Sequence, residues 1–336
     1  MRIIIALLCM YAVVSCNSGK KTPDVSNIKA SLSTSRFEKD LFKLDTVNYS
    51  TKLDKLIAAY PSFGENFLFE ILGTDPKWST DSTAAYVRGF VAAYKNVFDI
   101  AEIVFKDFTP FENEIKKGLQ FVKYYFPDYK VPEKIITYIG PLNGYGDILS
   151  DDALIIGLQL HLGKNFSLYQ SDLVQQTYPS YISNRFEPGY ISINCIKNII
   201  LDLYPEKNDD RPLVQQMVEK GKRLYLLQKL MPEADEYKLI GYTSEQLKQS
   251  YQHEKEIWNL FVQNNLLQTI DENVIKNYIG ESPKTQELGD ASPGNIGSFA
   301  GWQIVKKYMD ENEKTTLRQL MTMDADALFQ AAKYKP

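Results

Sequence analysis

Two histidines, His161 and His253, are the residues of this 336-residue chain that most readily suggest metal chemistry. His253 is followed by Glu254, which could begin the zinc-binding motif HExxH, but the residue four positions after His253 is Ile257. The second ligand of that motif is missing, and a zinc site needs about three protein ligands. His161 stands in an apolar run and is expected to be a satisfied core or sheet-end residue. The sequence therefore predicts no metal site, no catalytic residues and no cofactor.

The amino terminus carries a second kind of chemistry, which is covalent lipidation. Residues 1–15 have the pattern of a signal peptide, with Arg2 before an apolar stretch that is too short to remain as a membrane span. The sequence VVSC that ends at Cys16 matches the bacterial lipobox, in which the cysteine is lipidated on sulfur and becomes the new amino terminus. The alternative is an ordinary cleavage site with an accidental cysteine. Lipidation of Cys16 is predicted, because the cysteine directly follows a small residue and precedes a polar tether. Two or three acyl chains would then hold the protein stably on a membrane.

The rest of the chain divides into a linker and one domain. Residues 16–35 are polar, rich in Ser and Lys and without periodicity, which predicts a lipidated cysteine followed by a flexible tether. Residues 36–336 are predicted to form a single globular domain. A net charge of −4 and scattered Lys and Arg argue against nucleic-acid binding. These features indicate a cell-envelope protein that faces the periplasm, anchored by lipid to the inner or the outer membrane.

The middle of the fold is predicted to be a buried strand followed by two helices. Residues 152–163 form a near-continuous apolar run rich in Ile and Leu, typical of a strand buried on both faces. Residues 191–205 carry isoleucines at helical spacing, and Cys195 is expected to be a small buried hydrophobic residue on that helix. A second helix is predicted from Arg211 towards Pro232.

Further elements are predicted on both sides of this segment. Residues 131–140 indicate a second strand, and residues 36–45 a strand or an extended entry. A capping box at the start of residues 243–267 predicts one helix there. Gly297 and Gly301 share one face of another helix, so a second backbone can approach closely. Helices are also expected at residues 50–60, 65–72, 81–105, 111–126, 317–321 and 324–333.

Two further sets of residues leave other functions open. Asp151, Asp152 and Glu219 could act as the general acid and base of an envelope hydrolase. The aromatic sequence YPSYISNRFEPGY, residues 178–190, could line a cleft that carries an exported polypeptide, or could be a long loop packed over the sheet.

Several longer segments carry a resemblance to a known family. They are the lipobox with Cys16, RFEKDLF, DALIIGLQLHLG, GKRLYLLQKLMP, IGYTSEQL with Trp258 downstream, SPGNIGSFAGWQIVKKYM and the terminal YKP. With these segments the chain resembles the gliding motility-associated lipoproteins of the GldB type, found in Bacteroidota. The resemblance implies a role in gliding, or in the envelope and secretion machinery linked to it, through protein partners in that machinery. It implies no catalytic residues.

The order of elements is also similar to that of predicted zinc peptidases, in which a helix with HExxH precedes a helix with a Glu-Gly motif. Here Lys220 and Gly221 stand where Glu-Gly would be, and the preceding helix has no histidine. The resemblance implies an α+β, mostly α-helical fold with helices around a small β-sheet, on a zincin-like scaffold that has lost its metal ligands. A non-catalytic lipoprotein that binds envelope partners is therefore predicted, with a hydrolase or a carrier as alternatives.

Overall fold

The computed structural model describes residues 22–206 and 210–336. Its sheet has four strands, which are Ser33–Arg36 (β1), Lys134–Tyr138 (β2), Ile148–Leu149 (β3) and Ala153–Gly157 (β4). The spatial order is β1-β2-β4-β3. β1 and β4 both run parallel to β2, whereas β3 pairs antiparallel with β4. The strand predicted within residues 131–140 is confirmed as β2.

Helices make up most of the remaining described chain. Before β2 they are Phe37–Phe42 (α1), Tyr49–Ala59 (α2), Gly64–Asn66 (α3), Thr80–Ala93 (α4), Lys95–Val104 (α5) and Thr109–Tyr125 (α6). After β4 come Asp172–Thr177 (α7), Ser180–Ser183 (α8), Ile191–Leu203 (α9), Leu213–Leu230 (α10) and Glu236–Ile240 (α11). The last are Ser244–Gln252 (α12), Glu254–Gln263 (α13), Glu272–Ile279 (α14), Ile296–Glu311 (α15), Leu317–Thr322 (α16) and Ala325–Ala332 (α17). The predicted α+β, mostly α-helical class is confirmed.

Alternate residues of the two central strands face opposite sides of the sheet, as the pleat of a strand requires. Ile135 and Leu154 belong to the larger core, which is built mainly from α5, α6, α9, α10 and the helices that follow. Ile136 and Ile155 face the smaller core, whose other members come mainly from α1, α2, α4 and the π-helical turn Phe67–Ile71. The sheet is therefore buried on both faces, which explains the apolar character of its central strands.

The larger core is centred on the contact between α10 and α15. Gly221 of α10 lies against the backbone of Gly301 on α15, and Gly301 in turn lies against the carbonyl of Met217. A Cβ atom on either glycine would overlap these backbone atoms. The close approach predicted from Gly297 and Gly301 is confirmed for Gly301, because the two helices meet backbone to backbone at that residue.

The chain packs onto the domain before residue 36. Val25 and Ala30 are only 1% and 3% exposed, and β1 already begins at Ser33. The prediction of an extended entry at residues 36–45 is wrong for most of its length, because α1 begins at Phe37. Phe37 and Leu41 lie four residues apart, which is one helical turn, and both are buried.

Two predicted elements are shorter than expected. The helix predicted at residues 81–105 breaks at Tyr94, whose hydroxyl accepts a hydrogen bond of 3.2 Å from the Leu142 backbone N–H. The strand predicted at residues 152–163 ends at Gly157 and continues as a 3-10 turn. On this turn the buried Gln159 side chain accepts a hydrogen bond from the Gly140 backbone and donates one to the Tyr145 carbonyl.

The carboxyl-terminal half confirms its capping signals and corrects one boundary. Thr243 accepts a hydrogen bond from the Gln246 backbone, and the reciprocal bond is present, as predicted. The single helix predicted at residues 243–267 is instead two, α12 and α13, which meet at His253. Asp324 caps α17 through the Ala327 backbone N–H. Helices α11 and α14 were not predicted.

Candidate functional site

A group of buried and half-buried polar side chains lies where β4 ends and α9 passes the loop before β3. It consists of Asp147, His161, Asn194 and Asn198, and we call it the Asp147 cluster. Asp147 precedes β3, and His161 follows the 3-10 turn after β4. Asn194 and Asn198 lie one turn apart on α9, so their side chains share a face of that helix.

Hydrogen bonds in the Asp147 cluster converge on one carboxylate. His161 Nε2 lies 2.9 Å from Asp147 Oδ2 and 3.0 Å from Oδ1. Asn194 Nδ2 donates to Oδ2 at 2.9 Å, and the Gly157 backbone N–H donates to Oδ1 at 3.3 Å. Asn198 Nδ2 donates to the Asp147 backbone carbonyl at 3.0 Å. Because the Asp147 and His161 side chains are only 5% and 3% exposed, these bonds replace the water that both groups lose on folding.

The loop that carries Asp147 is held in place by three further side chains. Tyr138 donates its hydroxyl to the carbonyls of Tyr145 and Gly146, at 2.7 and 2.9 Å. Gln159 Nε2 donates to the Tyr145 carbonyl at 2.8 Å, and the Tyr178 hydroxyl donates to the carbonyl of Gly144 at 2.6 Å. Bonds to consecutive carbonyls fix the backbone path. The carboxylate of Asp147 is therefore a rigid part of the fold.

Asn194 and Asn198 stand four residues apart on α9, with Cys195 between them. Two histidines at this spacing would be the ligands of an HExxH helix, but both residues here are amides. The site ligands of structural and catalytic zinc are thiolates, imidazoles and carboxylates, not amides. Within residues 22–206 and 210–336, no group of three or more His, Cys, Asp or Glu side chains is placed to hold a metal ion.

Cys195 is enclosed in the core, as predicted, with 1% of its surface exposed. Burial, and to a smaller extent the negative charge of Asp147, raise the pKa of its thiol well above the ordinary value. The thiol therefore stays protonated near neutral pH, and a protonated thiol is a poor nucleophile. His161 is likewise confirmed as a buried residue just beyond the sheet.

An open cavity of about 500 Å³ adjoins the Asp147 cluster. Its lining includes Asp147, Asn198, Asp151 and Asp202. Of the carboxylates proposed for a hydrolase, only Asp151 lines this cavity. Asp152 instead pairs with Lys134, with 2.9 Å between Oδ2 and Nζ.

Glu219, the third of those carboxylates, lies in a separate charged network on α10. Its Oε1 is 2.6 Å from Lys222 Nζ, and its Oε2 is 3.3 Å from a guanidinium nitrogen of Arg223. Lys222 is 1% exposed, and burial lowers the pKa of its ammonium group despite the Glu219 charge. The neighbouring Lys220 pairs with Glu206 at 2.8 Å. Glu219 is thus occupied as a counter-ion, and it lines another cavity, of about 770 Å³.

The aromatic sequence at residues 178–190 is packed rather than open. Tyr178 holds the Asp147 loop, and its ring makes an edge contact with Phe186 at 5.2 Å between centroids. Phe186 also contacts Tyr169, and Tyr190 is buried. This arrangement favours the loop packed over the sheet.

Sequence reasoning missed Asp147, Asn194 and Asn198. The available signal was the four-residue spacing of the two asparagines on a helix whose other positions are mostly apolar. Asp147 gave no signal, because its partners stand 10 to 51 residues away in the chain.

None of the helices within the described residues is long and apolar enough to cross a membrane.

Comparison with known proteins places the chain in a family. No curated protein and no solved structure matches the chain. Residues 18–336 match the model of a family described as "Gliding motility protein GldB", which is a lipoprotein family. Cys16 lies outside both the described residues and the matched range. Because the match covers nearly the whole chain, this protein belongs to the GldB family of gliding motility lipoproteins.

Proposed function

We propose that this protein is a lipid-anchored envelope protein that supports gliding motility by binding protein partners, without catalysing a reaction. In this proposal Cys16 carries the acyl chains and the domain faces the periplasm. The observation that carries the non-catalytic part is the Asp147 cluster. The His161 imidazole and the Asn194 amide bind the Asp147 carboxylate, and the Asn198 amide binds the Asp147 backbone carbonyl.

The same cluster supports the idea of a peptidase-like scaffold without its metal. An active zinc site keeps one coordination position open for water or substrate. Here the side chains at the ligand positions are amides, and they donate to Asp147. The Asp147 carboxylate and its backbone carbonyl accept these hydrogen bonds, so the two amide groups have partners without a cation.

A hydrolase that uses Asp151, Asp152 and Glu219 has less support, because these carboxylates make separate contacts and do not line one cavity. A carrier that uses residues 178–190 has less support for a similar reason. Those aromatic rings pack against the domain itself.

The experiment is complementation of motility in a gliding host that lacks its own copy of the gene. We expect His161→Gln to restore gliding at normal protein level, because a glutamine amide can still donate to Asp147. Cys16→Ser should fail to restore gliding, because the protein loses its membrane anchor. A His161→Gln protein that is stable and membrane-bound, but fails to support gliding, would contradict a non-catalytic role.

The proposed binding of protein partners needs a separate measurement. Affinity capture of the wild-type and His161→Gln proteins from their own membranes should recover the same partners in the same amounts. Peptide cleavage by the purified protein that is abolished by a chelator would overturn the proposal.

A further inference from the structure

The described chain begins beside an aromatic groove, and its first residues are fixed there. Val25 is buried, and two side chains of α6 bind the segment that follows. Gln120 Nε2 donates to the Ile28 carbonyl at 2.8 Å, and Lys123 Nζ donates to the Lys29 carbonyl at 2.7 Å. Residues 25–30 therefore move with the domain, and they hold the point at which the chain leaves it.

The groove at this exit point has a volume of about 720 Å³. We call it the tyrosine groove. Its lining includes Thr22, Tyr124, Tyr125, Tyr225 and Lys229. Tyr124 is 47% exposed, and its ring makes an edge contact with Tyr125 at 4.9 Å between centroids. The Lys229 ammonium group lies 4.9 Å from the centroid of the Tyr225 ring.

The length of chain before the groove limits where a lipid anchor could lie. Five residues, 17–21, separate Cys16 from Thr22. Six Cα-to-Cα steps span at most about 20 Å when fully extended. An acylated Cys16 therefore keeps the tyrosine groove within about 20 Å of the bilayer surface. If the first packed residue were residue 36 instead of Thr22, the longest possible distance between the domain and Cys16 would be more than three times greater.

The chemistry of this face suits the membrane interface. Tyrosine has an apolar ring and a polar hydroxyl, and it is enriched at the level of lipid headgroups. Lys20 and Lys21 lie in the short connection itself, and basic residues near a bilayer are attracted by anionic headgroups. A face that is tyrosine-rich, grooved and tied close to an acyl anchor therefore fits a lipid surface.

We propose that the tyrosine groove docks on the headgroup region of the membrane that holds Cys16, with Tyr124 and Tyr125 at the interface. This inference rests on the anchoring at Cys16 in the proposed function. Docking gives the domain one orientation on the membrane, because the anchor and the groove act at the same end of α6. The layer of α2 and α4 packs on the other face of the sheet from α6.

The test uses the full lipidated chain in vesicles of phosphatidylethanolamine and phosphatidylglycerol that carry nitroxide lipids. A fluorophore is attached at Tyr124→Cys or, as a matched control, at Tyr86→Cys on α4. Both tyrosines are 47% exposed and both make an edge contact with one other aromatic ring. Cys195 is buried and should not react in the folded protein. We expect headgroup nitroxides to quench the probe at residue 124 at least threefold more than the probe at residue 86.

A second arm places the fluorophore at Thr22→Cys, an exposed position. Adding Tyr124→Asp should lower the quenching of that probe at least twofold, because a carboxylate is repelled by the anionic surface. Equal quenching at residues 124 and 86, or no effect of Tyr124→Asp, would overturn the docking. The docking would also be overturned if the probe at residue 124 were shielded from solvent in detergent without lipid as much as in vesicles. In that case residues 17–21 or another protein, and not the membrane, would fill the groove.

Mass spectrometry of the amino-terminal peptide separates the two proposals. An acylated Cys16 with equal quenching at both positions would refute the docking and leave the anchor intact. An amino terminus without acyl chains would refute the anchor, and with it the basis of the docking.

Discussion

Two buried contacts of this molecule bring neighbouring elements together in opposite ways. At the crossing of α10 and α15, Gly221 and Gly301 contribute no side chain, and backbone meets backbone. At the Asp147 cluster, the side chains of α9 meet a loop through hydrogen bonds, and each of these polar groups has a partner. The first contact requires that both residues lack a side chain. The second requires that each hydrogen-bond donor has an acceptor.

The difference shows which substitutions each contact tolerates. Polarity is irrelevant at Gly301, because any Cβ atom overlaps the Met217 carbonyl. Volume matters less at Asp147 than the number of donors left without an acceptor. The predictions below, from the largest expected effect to the smallest, separate these two kinds of dependence.

The largest effect is expected at the helix crossing. Gly301→Ala should lower the free energy of unfolding by about 3 kcal/mol or more, because the added methyl group forces two backbones apart. Urea unfolding followed by circular dichroism measures it. The matched control is Gly89→Ala on α4, where a Cβ atom meets nothing within 4 Å. That variant should be unchanged or more stable by up to about 1 kcal/mol, since alanine favours helix. Equal stabilities of the two variants would contradict the close crossing.

The next effect is expected at the centre of the polar cluster. Asp147→Ala leaves the donors of His161, Asn194 and Gly157 without their acceptor. The free energy of unfolding should fall by about 2–3 kcal/mol, which is the usual cost of buried unsatisfied groups. Asp151→Ala, at an exposed carboxylate four residues away, should change it by less than about 0.5 kcal/mol. A similar loss in both variants would show that the cluster does not stabilise the fold.

These two contacts also differ in how far the sequence could predict them. The close contact at Gly301 was predictable, because two glycines on one face of a helix indicate that another backbone approaches there. This inference does not require the partner helix to be known. The same holds for the Thr243 capping box and the Asp324 cap, whose partners lie three residues away. The role of Asp147 was not predictable, because the donors that bind its carboxylate come together only when the sheet and α9 pack against each other.

Local ambiguity accounts for the other failures. Phe37 and Leu41 were compatible with an extended entry as well as with a helix, and burial of both on one face decided for α1. The break at Tyr94 depends on a hydrogen bond to Leu142, 48 residues away, which no local pattern contains.

A smaller effect is expected at the edge of the polar cluster. Asn198→Ala removes a single hydrogen bond, to the Asp147 carbonyl, and that carbonyl lies beside the open cavity. Water can replace the amide there, so the loss should be about 1 kcal/mol. Asn194→Ala combined with Asp147→Ala should be less destabilising than the sum of the two single variants, because both changes remove the same hydrogen bond from Asn194 to the Asp147 carboxylate. Additive losses would show that the cluster is not one unit.

The smallest effect concerns Lys197, which lies on α9 between the two asparagines but does not share their contacts. Burial is the main cause that lowers the pKa of its ammonium group to about 8. The positive charge of Arg185 lowers the pKa further, and the negative charge of Glu281 opposes both. Lys197 is therefore a half-buried charge, and nearby negative groups compensate it incompletely.

The sign of the pH dependence follows from the lowered pKa. Between about pH 8 and the ordinary lysine value of 10.5, the unfolded chain binds a proton that the folded chain has lost, so stability rises with pH in that window. Below pH 8 the cost of the buried charge is fully present. Because the Lys197 side chain is not completely enclosed, we expect Lys197→Met to raise the free energy of unfolding by about 1 kcal/mol at pH 7. The gain over wild type should shrink by pH 9.5, as measured by urea unfolding at both pH values. Lys255→Met, at an exposed lysine on α13, should stay within about 0.5 kcal/mol of wild type at both. A gain at Lys197 that is the same at pH 7 and pH 9.5 would mean that added apolar contact, and not the removed charge, stabilises the variant.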